Sequence, residues 1–332
     1  MLNPFEGVTL PPDPEELIRR ELRRLRDVQG VTVKDREIRR LIHFRDALQT
    51  YNRFLNSFPK LDRLHPFYLT SLEITAGSLD KVKRCLAQVR RKVNVASRLL
   101  ENYVEQIKRS PEARANTLMR TGFGRAASVL RDGRECITWL AEVTRELSKA
   151  KSVDPDLPTI IIAGPPNVGK STLVSKISSA KPRIASFPFT TKEVHVGHMN
   201  CGVKIQVLDT PGILDRPDSE RNVIERKAVN AIRNLRGIVI FMFDVSNSSL
   251  YDAGEQLSIY REVTGMGRPV VTVFNKVDDV NQELFDALAQ KLNQERVLKL
   301  SAEKGEGMVE LKREIFIRLK EVSPDISDLL DC

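Results

Sequence analysis

Apolar positions follow two different rhythms, one in each half of the chain. Through residue 150 they recur every three or four residues, the spacing of helices that bury one face. Asp13-Pro14-Glu15-Glu16 reads as an N-cap, a proline in the first turn and acids beside it. Ile18, Leu22 and Leu25 follow at helical spacing. Ser78 caps a longer run carrying Leu79, Val82, Leu86, Val89, Val93, Ala96, Leu100, Tyr103 and Ile107. Ser110-Pro111-Glu112 repeats the cap-and-proline signal and predicts another helix start there. These patterns predict an antiparallel all-α bundle over residues 1–150.

AKSVDPDLP at 150–158 interrupts the helical rhythm, and residues 151–157 read as a linker. Beyond it short β-rich runs alternate with helical segments: TIIIAG at 159–164, VKIQVLD at 203–209, GIVIFMFD at 237–244, PVVTVFN at 269–275 and RVLKLS at 296–301. Such alternation predicts an α/β domain over 158–322, a mostly parallel sheet with helices on both faces, followed by a tail at 323–332. Ligands bind such sheets at the carboxyl ends of the strands.

Charge sharpens the division. The chain of 332 residues has a net charge of +9. Residues 1–150 hold 29 Lys+Arg and 19 Asp+Glu, a net of +10; the rest hold 24 and 25, a net of −1. A basic half beside a neutral one implies a polyanionic partner for the first, and a solvated arginine surface is the alternative. Arg84, Arg91 and Arg98 recur every seven residues opposite the Val82–Val89–Ala96 seam, which predicts an exposed row able to grip RNA phosphates. Hydrophobic residues make up 41% and charged residues 29%, the composition of a soluble globular protein. Apolar runs such as IVIFMF are too short to span a bilayer, and MLNPFEGVTLPPDPEEL lacks the features of a signal peptide, so a cytoplasmic protein without membrane contact is expected. Cys85, Cys136, Cys201 and Cys332 form no CxxC pair, so free thiols are expected. His195 and His198 face opposite sides of a strand and predict no metal site.

Candidate chemistry follows the strands. GPPNVGKST fits G-x-x-x-x-G-K-[ST] between a strand and a helix. Gly164, Pro165, Pro166, Asn167, Val168, Gly169, Lys170, Ser171 and Thr172 would cradle phosphates with backbone N–H groups at a helix N-terminus. Lys170 would reach the β- and γ-phosphates, and Ser171 would place its hydroxyl on Mg²⁺. Asp209 ends a strand where a carboxylate can orient that ion, and Gly212 leaves its amide free to approach a γ-phosphate. In NKVD at 275–278, Asp278 matches the guanine N1–H and amine; adenine would leave the carboxylate unpaired. Lys276 can lay its stem along the base, Asn275 can tie loops together, and SAEKGEG at 301–307 offers Ser301 and the Ala302 amide to the guanine oxygen. Four motifs in order at successive strand ends indicate a site for GTP and GDP.

These residues resemble the translation-factor class of P-loop GTPases, and the Obg group within it. FPFTT at 187–191 is similar to that group's first switch, where the resemblance gives Thr191 the role of binding Mg²⁺ and sensing the γ-phosphate. NPF at 3–5, LHPFY at 64–68 and the basic bundle ahead of the GTPase domain are similar to the Nog branch, in a short, archaeal-like form. The resemblance covers nearly the whole chain. It implies a slow GTPase switch in assembly of the large ribosomal subunit, with rRNA and ribosomal proteins as partners and no DNA. Lys170, Thr191 and Gly212 would then carry the chemistry at the γ-phosphate. Asn167 stands where potassium-activated relatives carry an asparagine, which implies a K⁺ site.

Ile213 occupies the place where related switches carry a water-orienting glutamine. A hydrocarbon cannot hydrogen-bond, so water must be positioned by backbone, another side chain or a partner. Two further readings stand beside the assembly GTPase: a nucleotide-gated binding module with negligible hydrolysis, and a GTPase linked to tRNA modification. No folate site or catalytic cysteine motif supports the last.

Overall fold

The computed structural model describes residues 3–149, 153–179, 183–186, 193–209, 214, 229, 232–292 and 296–324. The helices of the first half are α1 (Pro14–Arg24), α2 (Val33–Ala47), α3 (Gln49–Ser57), α4 (Pro66–Ala76), α5 (Leu79–Arg109), α6 (Ala115–Arg131) and α7 (Arg134–Ser148). Contacts divide the chain into two compact units: residues 4–63 with 75–148, and the described parts of 1–3, 64–74 and 149–332.

In the helical unit, caps start the helices where the polar residues dictate. Asp13, Thr32 and Ser78 accept from the N–H groups of Glu15, Asp35 and Lys81. The apolar stripe of α5 is buried at Val82, Val89, Val93, Ala96, Leu100, Tyr103 and Ile107. Phe44 of α2 stacks on Phe123 of α6 at 4.3 Å. Arg84, Arg91 and Arg98 are exposed, as the heptad spacing predicts.

Two expectations need correction in this unit. Ser110 does not cap a following helix; its Oγ donates to the Ile107 carbonyl at 3.1 Å and closes α5. A 3₁₀ turn at Glu112–Arg114 intervenes before α6. Nor are the thiols free: Cys85 and Cys136 form a disulfide with Cα atoms 5.1 Å apart, linking α5 to α7, and no described cysteine is free. At a sequence separation of 51, the two cysteines give no local signal. Only helix packing brings their buried positions within bridging range.

Residues 64–74, most of α4, group with the second unit. The helix PFYLTSLEITA has one charged residue, Glu73, and buries Phe67, Tyr68, Ser71 and Leu72. A helix with so little polar surface needs cover on most sides. Tyr68 Oη donates to the Val153 carbonyl at 3.3 Å, and Asn234 Nδ2 donates to Thr70 Oγ1 at 3.1 Å.

The second unit is built on a sheet of seven strands: β1 (Thr159–Ala163), β2 (Arg183–Ser186), β3 (Glu193–Cys201), β4 (Val203–Asp209), β5 (Gly237–Asp244), β6 (Val270–Asn275) and β7 (Val297–Leu300), in the order β2-β3-β4-β1-β5-β6-β7. Strands β4, β1, β5, β6 and β7 run parallel, while β3 pairs antiparallel with β4 and β2 with β3. The central strands β1 and β5 are continuous apolar runs buried at every position, while the edge strand β7 leaves Lys299 exposed. Strands β2 and β3 were not among the predicted runs; β3 mixes His195, His198 and Asn200 with buried Val196, Met199 and Cys201, the pattern of a half-covered strand.

Helices α8 (Lys170–Ile177), α9 (Ala253–Thr264), α10 (Gln282–Lys291) and α11 (Met308–Val322) accompany the sheet. Ile160, Ile162, Ile240 and Met242 pack with Leu173 of α8 and Leu311 and Ile315 of α11. On the other face Phe241 and Phe243 meet Tyr260 of α9, and Phe274 meets Phe285 of α10, at 5.1–5.3 Å. The described part of the linker is pinned to this unit, where the Asp154 N–H donates to buried Gln206 at 2.9 Å. Among the described residues, no helix is long and apolar enough to cross a membrane.

Candidate nucleotide site

Parallel register brings several strand ends to one edge. Ile162 pairs with Asp209, Ala163 with Phe241, Asp244 with Asn275, and Asn275 with Leu300. The phosphate loop, Asp209, Asn275 and the turn at Ser301 therefore emerge on the same side of the sheet.

The loop after β1 turns on two glycines. Gly164 has φ 137°, and a Cβ there would lie 2.4 Å from the Met242 carbonyl oxygen. Gly169 has φ 97° and would place a Cβ 2.6 Å from Asn275 Nδ2. Both need the left-handed region and a backbone without a side chain. Between them Val168 is fully buried and anchors the loop, while Asn167 is exposed at φ 63°. Gly164 N–H donates to the Leu214 carbonyl at 3.2 Å. Pro165 and Pro166 have no N–H to offer, so the amides available to an anion begin at Asn167. Lys170 opens α8; its buried Nζ donates to the Gly164 and Pro165 carbonyls at 2.8 and 2.7 Å. Its charge thus lies inside the loop. Ser171 and Thr172 follow in the first turn of α8, both exposed.

Asp209 is completely buried at the end of β4. Its Oδ2 accepts from Ser171 Oγ at 2.5 Å and lies 3.3 Å from His195 Nδ1. Its Oδ1 is buried without a hydrogen-bond partner. An orphaned carboxylate oxygen is costly unless something fills the place. A hydroxyl and a carboxylate supply the hard oxygen donors that Mg²⁺ takes alongside water and phosphate. These residues fit the ion; Ser171 and Asp209 would hold it, and it would neutralise charge on the phosphates.

The base end is knit by side chains. Asn275 Nδ2 donates to the Val168 carbonyl at 2.7 Å, and its Oδ1 accepts from the Ala302 N–H at 2.9 Å. Asn275 therefore ties the phosphate loop to the turn after β7, as its motif suggests. The Ala302 amide, expected to face the guanine oxygen, is engaged by Asn275 in this arrangement. Lys276 adopts φ 62° and ion-pairs with Asp244 at 2.7 Å. Asp278 accepts from the Ser301 hydroxyl and pairs with Lys304 at 3.4 Å. The Ser301 hydrogen bond, with a backbone N–H and the Lys304 charge, holds this carboxyl below its ordinary value. It is therefore ionised at neutral pH, the state that accepts from guanine.

Of the predicted site residues, the loop from Gly164 to Thr172, Asp209, Asn275, Lys276, Asp278, Ser301 and Ala302 lie at this edge. Thr191, Gly212 and Ile213 lie outside the described residues. Sequence reasoning missed Asp244, Lys304 and His195. Asp244 carried a signal, since it ends an apolar strand just as Asp209 does. His195 is paired to Asp209 only by the register of β3 on β4.

A family model described as the NOG1 N-terminal helical domain matches residues 5–154, and one described as a 50S ribosome-binding GTPase matches residues 159–276. Nucleolar GTP-binding protein 1 of Drosophila melanogaster is 32% identical over 288 residues, 83% of this chain and 44% of that one. Its Arabidopsis thaliana counterpart is 32% identical over 305 residues, 88% of this chain and 45% of that one. An uncharacterized protein of Methanocaldococcus jannaschii is 33% identical over 299 residues, 85% of this chain and 83% of that one. The chain spans less than half the length of the two named relatives.

Proposed function

Since the chain belongs to the nucleolar GTP-binding protein 1 family and carries a GTPase domain, we propose that it is a slow GTPase whose nucleotide state governs a step in assembly of the large ribosomal subunit. The observation that carries this reading is the meeting of Lys170, Ser171 and Asp209 with Asn275 and Asp278 at one sheet edge. That meeting supports a single site for phosphate, magnesium and guanine chemistry. In this reading Lys170 and the loop amides bind the β- and γ-phosphates, Ser171 and Asp209 hold Mg²⁺, and Asp278 selects guanine. Thr191 and Gly212 engage the γ-phosphate, and its release after hydrolysis frees their segments.

Turnover is slow because Ile213 cannot orient water. In the same reading Asn167, which is exposed on the phosphate loop, helps bind K⁺ against the phosphates. The helical unit supplies the RNA contact through Arg84, Arg91 and Arg98, which are exposed. The name of the matching GTPase model points to the large subunit as partner, in a cytoplasmic setting. Phosphate release under multiple turnover, with and without precursor particles of the large subunit, tests the proposal. Slow release accelerated by the particles is expected. No release in either condition would instead identify a nucleotide-gated binding module.

A further inference from the structure

Asp244 ends β5 and is only 5% exposed, yet nothing in the phosphate chemistry uses it. Its surroundings hold it from several sides. The Gln256 side chain, fully buried on α9, accepts from the Asp244 N–H and donates to the Asp244 carbonyl, both at 2.9 Å. The carboxylate Oδ1 accepts from the Ser246 N–H at 3.0 Å and its hydroxyl at 2.6 Å. That leaves Oδ2 for one partner, the Lys276 ammonium at 2.7 Å. Lys276 is itself in the left-handed region, at φ 62° and ψ 38°, between Asn275 and Asp278. A residue with a side chain occupies that region at a cost and stays there when its surroundings impose it.

We propose that Asp244 is a positioning residue for guanine-nucleotide binding. By holding the ammonium of Lys276 it fixes that side chain's stem as one wall for the purine. It also keeps a flexible cation from swinging toward the phosphates. Lys170 serves the phosphates and Lys276 serves the base, and Asp244 enforces the division. An aspartate suits the task because its carboxylate divides between Ser246, which fixes it, and Lys276, which it fixes. This inference rests on the site being a guanine-nucleotide site.

The test is a double-mutant cycle in GDP affinity, read with a fluorescent GDP analogue in the presence of Mg²⁺ on the full chain. Asp244→Asn keeps the shape and removes the charge, and it should weaken GDP binding about tenfold, the worth of one hydrogen bond to a charged group. Competition by inorganic tripolyphosphate, which engages only the phosphate loop, should be unchanged. Lys276→Met keeps most of the stem and loses the ammonium; adding Asp244→Asn to it should cost nothing more. Asp244→Glu, which retains the charge, should recover part of the lost affinity. Should Asp244→Asn not fold, Ser246→Ala replaces it. Loosening the same carboxylate should then weaken GDP binding in the wild-type background and not in Lys276→Met. Additive losses, or wild-type affinity in the single variant, overturn the role of Asp244 alone. A wild-type chain that binds no GDP overturns the nucleotide reading beneath it.

Discussion

The helical unit and the sheet unit use charge in opposite ways. On α5 the arginines at 84, 91 and 98 stand outward in a repeating row. At the sheet edge Lys170, Asp209 and Asp244 are buried, each at one strand end or loop and each with its own partner. Repetition spreads a weak interaction over a surface, so no single arginine is indispensable. Burial makes each charge at the edge matter by itself, because its neighbours were placed around it. Substitutions should therefore divide by unit: changes at the edge remove chemistry and spare the fold, whereas changes in the helical unit affect stability or partner binding and spare nucleotide affinity.

The largest effect is expected from Lys170→Ala. Loss of the cation proposed to serve the phosphates should weaken GTP binding by about 10³-fold, in the range seen when a preorganised charge donor is removed. Calorimetric titration measures it, and an unchanged melting curve would place the loss in chemistry. The counterpart in the helical unit is the disulfide. The cross-link between Cys85 and Cys136 closes a loop of about fifty residues, which chain entropy values at about 4 kcal/mol. Cys85→Ser with Cys136→Ser should lower the melting temperature by several degrees and leave GDP affinity unchanged; a fall in affinity would break the division.

A smaller change is expected at the base. Asp278→Asn should lower GDP affinity about a hundredfold and raise affinity for the xanthine analogue, whose C2 oxygen accepts where guanine donates. Competition binding with both nucleotides separates this from a general loss. The Asp278 carboxyl titrates below the usual aspartate value. A depressed value means its contribution is present at neutral pH and lost only as pH falls through that lowered value. GDP affinity limited by this group should therefore stay level as pH falls from 7 to 5. The smallest effect per residue belongs to the arginine row. Replacing Arg84, Arg91 and Arg98 by Ala should reduce the salt dependence of RNA binding by about two to three ion equivalents, with stability changed by less than ~0.5 kcal/mol. A gel-shift series in rising KCl measures the slope.

Legibility in the sequence followed the same contrast. Periodicity disclosed the stripe of α5, and apolar runs disclosed the five parallel strands, because both depend on patterns repeated over many residues. The phosphate loop and NKVD were legible because their residue types are dictated by ligand chemistry at fixed spacing. What escaped depends on long-range packing. The Cys85–Cys136 link needs α5 beside α7, and the grouping of 64–74 with the sheet unit needs surfaces that no local window contains. His195 beside Asp209 needs the register of β3 on β4. Asp244 was visible as the acid closing GIVIFMFD, but its use emerges only when β6 places Lys276 beside it.

The central claim is that one sheet edge binds a guanine nucleotide with magnesium, and the affinity of the purified chain for GDP against ADP tests it most directly. With Mg²⁺ present, GDP should bind at least about 10³-fold more tightly, since adenine leaves the ionised Asp278 without its donors. Equal affinities for the two nucleotides would contradict the account.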